Sequence, residues 1–115
     1  MLASDRTEDE LIKEGVEKRR AGEDAAALDL FRLAYELKHS PRAVGQMGLA
    51  EMALGRWLNA ETHLQEALTA AQDPWIKKNS RALEASQVSV REHLGNLEVL
   101  GSPEGAEVIV EGEVA

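Results

Sequence analysis

The chain has 115 residues, room for one compact domain that buries about two thirds of the surface its unfolded form exposes. Its 13 basic against 21 acidic residues give a formal charge of −8, a field that repels phosphate backbones and argues against a nucleic-acid partner. The absence of cysteine removes disulfides and thiolate metal sites, and 3% aromatic content disfavours a β-sandwich. Alanine, leucine and glutamate dominate instead, which points to a mostly α chain packed through small and aliphatic side chains.

In chain order, a first helix is predicted over about residues 5–21 and ends at Gly22. A second follows over about 24–38. Ser40-Pro41 then supplies an N-cap residue and a proline at the first helical position, opening a third helix over about 41–54 that ends at Gly55. The fourth covers about 57–71. Asp73-Pro74 repeats the opening signal, and a fifth helix runs to about residue 93 through Trp75, Ile76, Leu83, Val88, Val90 and Leu94. No apolar run reaches the roughly 20 residues of a membrane span, so the chain is expected to be soluble as it stands.

These elements repeat. A shift of 33 residues superposes Leu11 on Val44, Gly15 on Gly48, Gly22 on Gly55, Ala27 on Ala60, Phe31 on Leu64, Ala34 on Ala67 and Pro41 on Pro74. A period in this range belongs to stacked helix pairs. The glycines and alanines inside the helices would let two antiparallel axes approach closely, with Phe31 or Leu64 filling the space that remains. Arg81 stands where Gly15 and Gly48 would align, as suits a terminal helix that buries one face and solvates the other.

With small residues at fixed places in both helices and a proline near the unit end, the chain resembles the tetratricopeptide repeat family over roughly residues 8–94. The implied architecture is an antiparallel helix-turn-helix superhelix of about five helices, occupying 5–94 with its capping helix from about residue 73. The unit is one residue shorter than usual, and Lys18 and Glu51 stand where the family often has tyrosine. The resemblance implies a concave peptide-binding groove at Ile12, Val16 and Arg19 of the first helix, Gln46, Leu49 and Met52 of the third, and Lys78, Asn79 and Ala82 of the fifth. Such a shallow apolar floor, edged by Arg19, Gln46 and Lys78, suits an extended or helical peptide. Alternatively Ile12, Val16 and Leu49 merely pack the first helix on the third. The carboxylate clamp of some family members needs lysine and asparagine where this chain has Ile12 and Val16.

Beyond Gly95 the pattern changes. Leu97 and Val99, then Val108 and Val110, alternate with polar or acidic residues around the turn signal Gly101-Ser102-Pro103-Glu104-Gly105, the pattern of a C-terminal β-hairpin. Residues 95–115 hold five of the acidic residues and no basic one. The string Pro103-Glu104-Gly105-Ala106 resembles the opening of the PEGA domain, a small β domain, of which 95–115 would be the N-terminal fragment. That resemblance implies a bacterial periplasmic or cell-envelope protein, with the chain cut from a longer one. The other reading of the segment is a flexible acidic tail. Paired strands here would expose edges able to join a second copy into a homodimer.

Chemistry is sparse. His39, His63 and His93 fall on separate helices with no partner at helical spacing suited to ligation, and no phosphate-binding glycine loop or nucleophile elbow occurs. The expectation is therefore an interaction scaffold with a protein or peptide partner, neither an enzyme nor a carrier of cofactor or metal. The alternative is a structural module that oligomerises and has no separate ligand.

Overall fold

In the computed structural model, which describes the backbone of residues 6–114 and the side chains of residues 6–95, five helices follow one another: α1 (Glu8–Arg20), α2 (Asp24–Leu37), α3 (Pro41–Ala53), α4 (Trp57–Thr69) and α5 (Pro74–Val114). Side chains set their starts. The Thr7 hydroxyl accepts from the Glu10 amide at 3.1 Å while the Glu10 carboxylate accepts from the Thr7 amide at 2.9 Å, a reciprocal cap that starts α1 at Glu8 rather than near residue 5. Ser40 and Asp73 accept from the amides of Ala43 and Ile76 at 3.0 and 3.1 Å, and Pro41 and Pro74 follow them where an amide would have no helical partner.

The turn between the helices of each pair is built the same way twice. Glu23 donates its amide to the Lys18 carbonyl at 2.9 Å and Gly22 donates to Arg19 at 3.0 Å; Arg56 donates to Glu51 and Gly55 to Met52 at the same two distances. This pairing satisfies the last carbonyls of a helix and requires a left-handed residue. Gly22 and Gly55 supply it, with φ of 82° and 76°.

Within each pair the helices approach through glycine. A methyl group at Gly48 would lie 2.8 Å from the Leu64 side chain, and one at Gly15 would be driven into the Phe31 ring. Ala27, Ala34, Ala60 and Ala67 line the same seams and are fully buried. Successive helices pack on one another, and α3 also touches α1 and α5. Two apolar clusters result, one shared by α1, α2 and α3 around Phe31, the other by α3, α4 and α5 around Leu64. Serving both, α3 is buried from Ala43 through Gly48 and again at Ala50 and Glu51.

The C-terminal hairpin expected over Leu97–Leu100 and Ala106–Val110 is not formed. The α5 helix continues from Pro74 to Val114 and no strand occurs among the described residues, so the mostly α fold with a terminal hairpin gives way, over the described residues, to five helices alone, packed as helix-turn-helix units. Two strands without the rest of a sheet are marginal in water, whereas a helix pairs its backbone groups within itself. A dimer through those strands loses its basis. The packing expected of Leu97, Val99, Val108 and Val110 concerns side chains outside the described residues.

One buried charge sits inside the second pair. Glu51 is 1% exposed and meets His63 Nδ1 at 2.6 Å. Its hydrogen bond to His63, reinforced by Glu66, outweighs burial and Arg32 and holds the imidazolium above the ordinary value of 6.5. Because the folded pKa is raised, this contribution is complete below about pH 6.5 and fades as pH climbs through the folded value. Thermal melts between pH 6 and 9, above the carboxylate range, should show a falling Tm in the native chain and a flatter profile in Glu51→Gln; equal slopes would place the dependence elsewhere. Gly48→Val should cost on the order of 1–3 kcal/mol in urea denaturation through overpacking against Leu64. An unchanged midpoint would contradict the close approach.

Candidate functional site

On the side of the molecule where α1, α3 and α5 face a common space, a groove of about 340 Å³ opens. Ile12, Lys13, Val16, Glu17 and Arg20 line it from α1, Arg42 and Gln46 from α3, and Trp75 from α5. Ile12 belongs to the first apolar cluster yet shows an edge to the groove, Val16 is half-buried, and Gln46 is buried against the floor. Arg19 does not line the groove but bonds to a residue that does. Its guanidinium donates to Gln46 Oε1 and lies 6.0 Å from the centre of the Phe31 ring. Burial first, then the neighbouring Arg20 charge, lowers the Arg19 pKa, against a smaller opposite effect of Asp24.

The expected groove residues therefore divide. Ile12, Val16 and Gln46 meet at the groove, with Arg19 bonded to Gln46. Leu49 and Met52 are half-buried against the second apolar cluster. Lys78 and Ala82 are exposed on α5, and Asn79 donates its amide to the Trp75 carbonyl of its own helix at 2.8 Å. None of these five lines the groove.

Trp75, Lys13, Glu17, Arg20 and Arg42 were not foreseen. A signal existed: Asp9, Arg42 and Trp75 occupy the same repeat position, 33 residues apart. Arg42 pairs with Asp9 on α1, and both Arg42 and Trp75 reach the groove. The Trp75 ring lies over Gly45, where a methyl group would come 2.9 Å from Cζ3, so the missing side chain of α3 makes room for the aromatic side chain of α5.

A larger hollow of about 560 Å³ runs along α1 between Glu10, Lys13, Glu14, Glu17, Lys18, Ala21 and Glu23. Every side chain there but Ala21 is charged, four acidic and two basic, which describes a solvated helix face. Among the described residues no helix is long and apolar enough to cross a membrane. Compared with family models, curated proteins and solved structures, the chain matches none. What the fold defines is thus a class, an array of helix-turn-helix units.

Trp75→Ala should lower stability by about 2 kcal/mol in urea denaturation, less than the 3–5 of a fully buried ring, since Trp75 is half-buried. No loss at all would mean that the ring stands away from Gly45.

Proposed function

We propose that the chain is a tetratricopeptide-type repeat module that binds an extended segment of another protein in the groove between α1, α3 and α5, and that it acts by binding rather than catalysis. The observation that carries this proposal is the groove itself: an apolar floor of Ile12 and Val16, an aromatic wall of Trp75 and hydrogen-bonding edges at Gln46 and Arg42. Pockets that hold peptides combine these elements. Support for the repeat class comes from the paired left-handed turns at Gly22 and Gly55 and from the matching contacts of Gly15 with Phe31 and Gly48 with Leu64. A cell-envelope setting is implied only by the C-terminal string 103–106 and is carried by nothing in the fold.

Panning a random dodecapeptide library on the immobilised full chain should select peptides that bind with micromolar affinity, and Val16→Asp should weaken them about tenfold or more while far-ultraviolet circular dichroism keeps its helical shape. Selected peptides that bind Val16→Asp undiminished would remove the groove from the proposal. Loss of helicity in Val16→Asp would identify Val16 as interior, in which case amide shift mapping with the native chain decides where the peptide sits.

A further inference from the structure

We propose that the groove takes an acidic peptide in which two carboxylate side chains stand three residues apart around an apolar one; the proposal rests on the groove reading and adds the chemistry of its occupant. The chain carries a formal charge of −8, yet the charged groups of the groove are Lys13, Arg20 and Arg42 against Glu17 alone. Among the described residues neither Lys13 nor Arg20 has an ion-pair partner within 4.0 Å, whereas Arg42 is held by Asp9. The two uncommitted cations of the groove are thus both on α1.

Their spacing sets the ligand. Lys13 and Arg20 are seven residues apart, close to two helical turns, so they share a face and lie about 10.5 Å apart along the axis. A peptide in the polyproline II conformation advances about 3.1 Å per residue with three residues per turn, so carboxylates three residues apart stand on one side of it, about 9 Å apart. Between the two cations the same helix presents Val16, with Ile12 beside it and Trp75 opposite, a surface for an apolar side chain lying between the two acids. Arg19 cannot serve as a third cation, since its guanidinium is turned inward onto Gln46 and Phe31. An acidic segment is therefore matched in charge, spacing and hydrophobicity, while a basic one meets the unpaired Lys13 and Arg20.

The test uses the full chain and three fluorescein-labelled peptides of sequence Ser-Glu-Leu-Ser-Glu-Leu-Ser, one as written, one with glutamine and one with lysine in place of glutamate. Fluorescence anisotropy should rank glutamate above glutamine by roughly tenfold, with no binding of the lysine peptide, and the gap should close as salt is raised to 1 M. Exposed charge pairs are individually weak, so Lys13→Gln and Arg20→Gln should each weaken the glutamate peptide about two- to fivefold, with Lys38→Gln just beyond the end of α2 unchanged. Equal binding of the glutamate and glutamine peptides, with amide shifts at Ile12, Val16 and Trp75, would overturn the charge assignment and leave the groove standing. Failure of all three at millimolar concentration would overturn both. A concentration-dependent dimer that the glutamate peptide dissociates would assign the groove to a second copy and also overturn the proposal.

Discussion

Two helix axes can come as close as those of α1 and α2 only where one of them lacks a side chain. Gly15 gives that space to Phe31, and Gly48 gives it to Leu64 at the same place in the next unit. A glycine inside a helix costs up to about 1 kcal/mol relative to alanine, and the burial of a large apolar side chain in the resulting seam, about 1.5–3 kcal/mol, offsets it. Close antiparallel helices leave no room for a long connection. Each pair therefore turns within three residues, and the hydrogen bonds of that turn demand the left-handed glycine that both units provide. Repetition of a unit built this way places the third helix against both pairs, and α3 becomes the central element whose buried faces join the two apolar clusters.

Polar groups fix how the units sit on one another. Small and aliphatic contacts along a seam tolerate sliding, but a buried carboxylate tolerates one partner position. Glu51 meets His63 within the second pair, Gln46 receives Arg19 between the pairs, Gln87 donates to Gln65 at 2.7 Å, and the Tyr35 hydroxyl donates to Glu66 at 2.6 Å across α2 and α4. Glu66 raises the Tyr35 pKa, so this last bond persists through neutral pH. The α5 helix is tied further along α4 by Arg91 on Glu61 at 3.0 Å and by the His93 ring stacked 3.9 Å from Trp57. Moving α4 by one turn would leave Glu51 and Gln87 buried without partners, at about 1–3 kcal/mol each.

Much of the helical frame was legible because its signals are local. Ser40-Pro41 and Asp73-Pro74 announce helix starts within two residues, and Gly22 and Gly55 announce ends. The capping box of Thr7 and Glu10 is equally local, and its neglect displaced the start of α1. The tail was misread for a different reason: four alternating apolar residues spread over two short runs fit a strand and a helix about equally, and pattern alone does not choose. The groove was half legible. Ile12 and Val16 were placed by the resemblance to the repeat family, but the wall formed by Trp75 depends on the absence of a side chain at Gly45, about thirty residues away in sequence. Asp9, Arg42 and Trp75 share a repeat position without sharing any chemistry, so the row they form shows in the 33-residue spacing and not in any likeness of side chains.

Net charge was a poor guide to the groove, and screening explains why. At physiological ionic strength the Debye length is about 8 Å, comparable to the distance across a single helix with its side chains. A carboxylate on the far side of a helix pair is felt in the groove only weakly, while Lys13, Arg20 and Arg42 line it directly. Five of the acidic residues also fall after Gly95, away in sequence from every groove residue. The field that a bound segment experiences is therefore set by a handful of neighbours and not by the sum over the chain. A protein of formal charge −8 can present a groove in which basic groups outnumber acidic ones, because only Glu17 among its acids lines the groove, while Glu10, Glu14 and Glu23 line the neighbouring hollow that shares Lys13 and Glu17 with it.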